Sequence, residues 1–491
     1  MGHNTAKKGY DKLVERLNKF PLGAPPSETL YKILNVMFSE EEAFLVSKLP
    51  IKPFTAKVAS KAWGKSVEES SEILNELASR ALLIDVEIDG NATYSLPPPM
   101  AGFFEFSMMR VGGKVDQKVL AELFHQYINV EDDFVKELFT MPTALGRTFV
   151  HEETVDDKSL YVLDYERATE VIKTASHIGV GTCYCRHKKE HVGEACDAPM
   201  EICMTFNNTA DSLIRHGYAK RITEDECLEL LKVAKDHNLV QFGENVQNNV
   251  AFICNCCSCC CEALVGARRT GFSQSIRSNF IAAVTDELCV GCGKCVEVCP
   301  MGALSLISKY DVKKNKKVAI LTPENCIGCG VCDRSCNFDA LEMVHRDKRV
   351  FTPVNLNQKL ILQALETGKL QHLVFRDEEK FSHRFLAAAL GVILKLPPAK
   401  QLLASKQLKS KYRPTTKHTR HSKPSPTLHR SNGIPASPTH NSSLPKNLIG
   451  PISAMHTANS NGPPPWDLPP MSLTHSMSQY QTNTVPCPRS P

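Results

Sequence analysis

The chain has 491 residues, of which 42% are hydrophobic and 23% are charged. This length allows about two to four domains, and the composition is typical of soluble globular proteins. No apolar run reaches the roughly 18 residues that a membrane-spanning helix needs, so the sequence predicts no membrane span. The lysines of the first residues, MGHNTAKKGYDKL, have no apolar segment behind them, which argues against a secretory signal and predicts a cytoplasmic location.

Charge and proline are unevenly distributed along the chain. The 58 Lys and Arg residues exceed the 53 Asp and Glu residues by five, but residues 413–491 alone contain seven basic residues and one acid. The remainder is close to neutral, so a nucleic-acid surface is not expected on the folded part. Fifteen of the 30 prolines also follow residue 412. Because this segment has few apolar residues, we predict that 413–491 is disordered.

Residues 27–110 predict a small helical unit that ends in a hairpin. Helices are expected over 28–38, 40–49, 56–63 and 68–80, and strands over 82–88 and 92–96. Asp89-Gly90 between the strands is a strong signal for a two-residue turn. This order of elements resembles a winged helix-turn-helix. The helix at 68–80 is acidic, with Glu68, Glu69, Glu72 and Glu76, which is unlike a helix that reads DNA.

Further along, four segments complete an α+β multidomain organisation. A helical connector is predicted at 111–178, and a cysteine-rich middle domain at 179–262 contains one clear helix, opened by the capping box Thr223-x-x-Glu226. A cysteine repeat follows at 280–347. C-terminal helices are expected within 350–412, near 355–368 and 380–395.

The repeat consists of two runs with the spacing C-x2-C-x2-C-x3-C. The first contains Cys289, Cys292, Cys295 and Cys299, and the second contains Cys326, Cys329, Cys332 and Cys336. Both resemble the runs of bacterial two-cluster ferredoxins, in which the fourth cysteine serves the other cluster. The resemblance implies two [4Fe–4S] clusters in a ferredoxin-like fold. It assigns Cys289, Cys292, Cys295 and Cys336 to the first cluster, and Cys326, Cys329, Cys332 and Cys299 to the second.

Two features of the repeat leave alternatives. Zinc is the competing metal, but zinc sites use two pairs of ligands rather than two runs of four. Between the runs lies a lysine-rich segment, 309–317, flanked by two apolar stretches. It predicts a strand–turn–strand insertion whose tip is either a docking site for an acidic redox partner or simply solvated.

Ten further cysteines lie upstream of the repeat: Cys183, Cys185, Cys196, Cys203, Cys254, Cys256, Cys257, Cys259, Cys260 and Cys261. Thiols this dense in a cytosolic chain are typical of metal ligands, although neighbouring cysteines diverge and cannot all reach one metal. Three readings remain open. They are a further iron–sulfur cluster, a zinc site at Cys183, Cys185, Cys196 and Cys203 with His187 as a substitute ligand, and a dithiol redox site. Cys227 instead fits a buried apolar position on the capped helix.

The combination of winged helix, cysteine-rich region and two-cluster ferredoxin resembles an uncharacterised group of iron–sulfur proteins from anaerobes, over about 20–400. The favoured function is an electron-transfer protein or oxidoreductase subunit that serves a redox partner protein. A redox- or iron-sensing transcriptional regulator and a reductase with its own site at the upstream cysteines are the alternatives. The sequence contains no nucleotide-binding glycine motif. It leaves open the partner, the oligomeric state and whether the protein is itself an enzyme.

Overall fold

The computed structural model describes residues 3–88, 90–110, 115–155, 163–311 and 314–374, all within one compact unit of mixed helix and sheet. The predicted tail at 413–491 and the predicted helix at 380–395 lie outside the described residues. No helix of the described part is long and apolar enough to cross a membrane.

The N-terminal elements follow the predicted order closely. They are α1 (His3–Lys19), α2 (Glu28–Met37), α3 (Glu40–Ser47), α4 (Ala56–Trp63), α5 (Val67–Ser79), β1 (Ile84–Ile88) and β2 (Asn91–Ser95). Ser27 and Ser66 cap their helices through side-chain hydrogen bonds, and Gly64 ends α4 in the left-handed conformation. The sequence reading missed α1, which buries Leu13 and Leu17. Whether the unit acts as a winged helix stays a prediction.

The middle of the chain is built on a six-stranded antiparallel sheet. Its elements are α6 (Phe104–Phe106), α7 (Gln117–Phe124), α8 (Asp133–Phe139), β3 (Gly146–Thr148), α9 (Ala168–Thr174), β4 (Ile178–Thr182), α10 (Tyr184–His191), β5 (Glu201–Phe206), α11 (Asn207–Arg215), β6 (Lys220–Arg221), α12 (Glu224–Asp236), β7 (Val240–Glu244), β8 (Phe252–Cys256) and α13 (Glu262–Thr270). The strand order is β3-β7-β8-β5-β4-β6.

This sheet changes two expectations. The segment 111–178, predicted as mostly helical, contributes β3 to the edge of the sheet, because Gly146–Thr148 pairs with β7. Three residues are too few to show a strand period in the sequence. The cysteine-rich region contains five strands and the helices α10 and α11 besides the predicted helix. That helix is confirmed as α12, with the capping box of Thr223 and Glu226.

The two cysteine runs lie in a smaller part with a two-stranded sheet and a hairpin. Its elements are β9 (Phe280–Val284), α14 (Lys294–Val298), β10 (Leu304–Asp311), β11 (Lys314–Leu321), α15 (Val331–Arg334) and β12 (Leu341–His345). Strand β9 pairs antiparallel with β12, and β10 with β11. The expected strand–turn–strand insertion is present, but Lys309, Lys316 and Lys317 lie on its strands rather than in the turn. The helices α16 (Leu356–Glu366) and α17 (Leu370–Val374) follow.

Candidate metal centres

A first cavity is lined by cysteines from both runs. Its walls include the first three cysteines of one run and the last of the other: Cys289, Cys292, Cys295 and Cys336. These residues are 41 or more positions apart across the runs, yet α14 and α15 pack together and bring them to one place. We call this cavity site 1.

A second cavity shows the same exchange in reverse. Its lining includes the first three cysteines of the second run and the last of the first: Cys326, Cys329, Cys332 and Cys299. We call this cavity site 2. Each cavity therefore offers four thiols, the number that a cube of four irons requires.

Backbone N–H groups point at sulfur in both sites. The Ala319 amide lies 3.4 Å from Cys289 Sγ, and the Ala303 amide lies 3.2 Å from Cys299 Sγ. Such donors stabilise negative charge on ligating thiolates. The arrangement therefore fits anionic sulfur bound to iron.

Two glycines let the backbone close around these sites. Gly291 has φ +70°, and a Cβ there would lie 2.3 Å from the Lys317 carbonyl oxygen; Gly328 has φ +71°, and a Cβ would lie 2.0 Å from the Phe280 carbonyl oxygen. No side chain can be placed at either position without moving backbone. The β10–β11 hairpin therefore approaches the loop at Gly291 closely, and β9 approaches the loop at Gly328 closely.

The two sites differ in their surroundings. At site 1, Cys292 is exposed, and Leu288, Val290 and Phe338 near it are each 44% exposed or more. The β10–β11 hairpin runs alongside site 1 and supplies Leu306 and Ala319 to its lining. Site 1 therefore opens towards solvent.

Site 2 is enclosed by the rest of the protein. The backbone N–H of His151 donates to the Cys329 carbonyl oxygen over 2.9 Å, and Arg346 donates to the Cys326 carbonyl oxygen over 2.6 Å. His151 and Thr154 also pack so closely against Gly330 that a Cβ there would meet both of them. Site 2 is thus held by the segment that follows β3.

The upstream cysteines are gathered by neighbouring strands of the six-stranded sheet. Cys203 lies on β5, which is flanked by β4 and β8. Cys183 directly follows β4, and Cys254 and Cys256 share one face of β8 at a spacing of two. Because β5 lies between β4 and β8, cysteines more than 50 residues apart meet at one end of the sheet.

Six upstream cysteines form one group, which we call the six-cysteine group: Cys183, Cys185, Cys203, Cys254, Cys256 and Cys261. Thiol hydrogen bonds join Cys203 to Cys183 and Cys254, and join Cys261 to Cys185 and Cys256. The backbone N–H of Glu262 lies 3.5 Å from Cys185 Sγ.

Burial keeps these thiols protonated when no metal is bound. The hydrogen bond with Cys203 lowers the pKa of Cys254, but burial and the nearby charges of Glu105, Cys185 and Cys261 together raise this pKa to about 11. The hydrogen bond with Cys261, together with burial, raises the pKa of Cys185 well above its usual range. A bound cation would reverse this balance, since metal binding displaces thiol protons.

The other four cysteines form a tighter set, which we call the four-cysteine group: Cys196, Cys257, Cys259 and Cys260. Their Sγ atoms all lie within 4.8 Å of one another. The Cys259–Cys260 separation is 3.6 Å, and the Cys260–Cys196 separation is 3.8 Å. Cys196, Cys257 and Cys260 are free thiols.

This division corrects the zinc alternative drawn from the sequence. Cys196 lies with Cys257 and Cys260, not with the other three residues of that expected quartet. His187 is not among the thiols either, because its Nδ1 lies 2.8 Å from the Met108 carbonyl oxygen and its Nε2 lies 3.1 Å from His191. Sequence distance along the chain did not predict which cysteines meet.

Two charged residues beside the thiols, Lys188 and Glu262, were missed by sequence reasoning. Arg186 is fully buried and donates to the Pro199 carbonyl oxygen, and electrostatic interactions with Cys183 and Cys257 raise its pKa against the effect of burial. Lys188 and Glu262 form a buried ion pair beside Cys185. Nothing in their spacing marks these residues as partners. Cys227, by contrast, is buried on α12 as predicted.

Residues 288–340 match the family of 4Fe-4S dicluster domains. This part of the chain is a ferredoxin-type iron–sulfur domain, in agreement with the two cavities and their thiols. The match covers the two cysteine runs and ends before β12. No curated protein matches the chain.

Proposed function

We propose that this protein transfers single low-potential electrons through two [4Fe–4S] clusters to a partner oxidoreductase. The observation that carries the proposal is the exchange of cysteines between the runs. Site 1 contains Cys336 of the second run, and site 2 contains Cys299 of the first. This exchange matches the ligand pattern of two-cluster ferredoxins. The eight cysteines are therefore the proposed ligands, four at each site.

The proposed contact with the redox partner is at site 1. Exposed Cys292 and the neighbouring exposed apolar side chains bring this site closest to solvent. Lys309 and Lys317 of the adjacent hairpin are also exposed. Because complementary charge speeds encounter, we propose an acidic surface on the partner.

The proposed organisation of the rest follows the sequence prediction. We infer a winged-helix-like unit over 27–110 that contacts proteins rather than DNA, a connector over 111–178 and a metal-binding middle domain over 179–262. The acidic helix α5 supports the choice of protein over DNA. A cytoplasmic location remains part of the proposal.

At least one additional metal centre is proposed at the upstream cysteines. The six-cysteine group offers more thiols than one metal ion can use and suits a third iron–sulfur centre. The four-cysteine group suits a single tetrahedral ion. Zn–S bonds of about 2.3 Å put two sulfurs of a zinc site about 3.8 Å apart, which is close to the separations of 3.6 and 3.8 Å around Cys260.

Metal and sulfide analysis of anaerobically purified protein tests the proposal. The ferredoxin domain alone predicts about eight iron and eight sulfide per chain, and an upstream iron–sulfur centre adds to both. One zinc per chain is expected from the four-cysteine group. Fewer than about eight iron would contradict the two-cluster assignment.

Substituting the fourth cysteine of each run tests whether it serves the site of the other run. Cys336→Ser should alter the electron paramagnetic resonance (EPR) signal of the cluster at site 1, and Cys299→Ser should alter the signal from site 2. Cys227→Ser is the matched control, because this cysteine is buried away from the sites, with a pKa raised to about 12 by burial alone. If Cys299→Ser altered the cluster of site 1 and Cys336→Ser altered that of site 2, each run would supply its own fourth ligand and the exchange would be wrong.

A further inference from the structure

Site 2 and the upstream cysteines share one hydrophobic core. Its buried members include Cys329 from site 2 and Cys256 and Cys261 from the six-cysteine group, and Cys299 and Cys254 pack against it. The site 1 residues Cys289 and Cys295 belong to another core, which also contains Cys326 and Cys332 of site 2. Site 2 thus shares packing with both site 1 and the six-cysteine group, whereas Cys289 and Cys295 of site 1 are not members of the core that contains Cys256 and Cys261.

Arg268 joins the two regions directly. It lies on α13, which begins immediately after Cys261. Its Nη1 donates to the carbonyl oxygen of Pro300 over 2.9 Å, and its Nη2 donates to the carbonyl oxygen of Ser258 over 2.5 Å. Pro300 follows Cys299 of site 2, and Ser258 lies between Cys257 and Cys259 of the four-cysteine group, in the loop that leads to Cys261 of the six-cysteine group. The guanidinium of Arg268 is therefore hydrogen-bonded to the backbone of both segments.

The charge of Arg268 suits this position. The thiols of Cys261, Cys299 and Cys257 all interact electrostatically with its guanidinium. Thiolate-bound centres on either side would be anionic and would repel each other. A planar guanidinium that donates in two directions offsets this repulsion while fixing the separation.

We propose that Arg268 is a positioning residue that holds site 2 against the six-cysteine group for electron exchange between them. The inference rests on the proposed function, including an iron–sulfur centre in the six-cysteine group. In each step one electron leaves the reduced cluster of site 2, which is oxidised, and reduces that centre by one equivalent, with no atom transferred. Electron tunnelling slows steeply with distance, so a residue that fixes the separation controls the rate. Electrons would enter or leave at site 1.

The test compares substitutions at two adjacent arginines in the full chain. Arg268→Gln removes the bridging charge. Arg268→Lys keeps the charge but loses the planar group that donates to two carbonyl oxygens at once. Arg269→Gln is the matched control, because Arg269 is the next residue on α13 but donates to Ile128 and Asn129. Iron, sulfide and zinc are measured first to show that each variant keeps its metals.

Electron flow is then followed by rapid-freeze EPR after mixing with reduced methyl viologen. The upstream signal is identified by its loss in Cys261→Ser. Arg268→Gln should slow the reduction of the upstream centre by about tenfold or more, the scale of losing a charge-assisted hydrogen bond, while sites 1 and 2 are reduced at the wild-type rate. Arg268→Lys should recover part of the rate, and Arg269→Gln should match wild type.

The spin–spin interaction in the wild-type protein provides a second readout that needs no variant. The upstream signal should broaden when site 2 is reduced. An unchanged rate in Arg268→Gln, or no broadening in wild type, would overturn the role of Arg268. Eight iron with intact ferredoxin signals but no upstream iron would overturn this inference alone. Loss of the ferredoxin signals themselves would instead contradict the proposed function.

Discussion

Gly328 shows how one missing side chain permits a metal site. Its backbone has φ +71°, and a Cβ there would lie 2.0 Å from the Phe280 carbonyl oxygen and 2.3 Å from Ser278 Oγ. The loop between Cys326 and Cys329 can therefore approach β9 only with glycine at this position. We predict that Gly328→Ala loses the cluster of site 2, about half of the ferredoxin iron and sulfide.

Gly302→Ala is the control for Gly328→Ala. Gly302 also has positive φ, +61°, but a Cβ there would meet nothing within 4 Å. Both variants carry backbone strain, but only Gly328→Ala adds a steric conflict. If the two lost iron and sulfide equally, strain rather than close approach would explain the result.

Glu105 gives the protein a pH-dependent stability. Part of this residue is exposed, but its carboxyl is enclosed, and burial raises its pKa from the ordinary 4.5 to about 8. Between these values the folded chain holds a proton that the unfolded chain releases. The free energy of unfolding should therefore fall as pH rises through this window and change little above it.

We predict that Glu105→Gln removes this pH dependence. Wild type should lose about 1 kcal/mol or more relative to the variant between about pH 5 and about pH 9, which is a conservative conversion of the pKa shift. The measurement is the thermal unfolding midpoint of both proteins across that range. Parallel curves for the two proteins would show that Glu105 does not titrate in this window.

At the scale of elements, a buried ion pair fastens α16 to the six-stranded sheet. Lys359 on α16 lies 2.6 Å from Glu244 on β7, and their side chains are 3% and 5% exposed. Lys359→Met leaves the Glu244 carboxylate buried without its cation, which should lower the free energy of unfolding by about 3–5 kcal/mol. Adding Glu244→Gln should recover part of the loss. Urea unfolding under anaerobic conditions gives these values.

The comparison pair is Lys136 and Asp132, whose side chains are 54% and 50% exposed. Solvent screens this pair, so Lys136→Met should change the free energy of unfolding by less than about 1 kcal/mol. Equal effects of Lys359→Met and Lys136→Met would mean that burial of the Lys359–Glu244 pair adds nothing to the free energy of unfolding.

At the scale of the whole molecule, the two ferredoxin sites differ in access. Cys292 of site 1 is exposed, whereas Cys326, Cys329 and Cys332 of site 2 are buried beneath the segment at His151. We predict that limited exposure to oxygen with an iron chelator bleaches about half of the ferredoxin absorbance in a fast phase. Cys336→Ser should remove this fast phase, because it disables site 1. A single phase in wild type would show that the access of the two sites is equal.

The local features of this protein follow from its sequence. The C-x2-C-x2-C-x3-C spacing identifies the ferredoxin runs, since three thiols on one tight loop are a local requirement. The helix start at Thr223 was equally predictable, because a capping box involves only residues of its own first turn. These signals depend on neighbours in the chain.

Only the tertiary structure decided how distant residues combine. The order β8-β5-β4 brings Cys254, Cys203 and Cys183 together, and it separates Cys196 from the quartet that chain order suggested. The contacts of Arg268 with Pro300 and Ser258 leave no trace in sequence spacing. Strand order and helix packing determine which of these residues are in contact, and both result from burying apolar surfaces contributed by the whole chain.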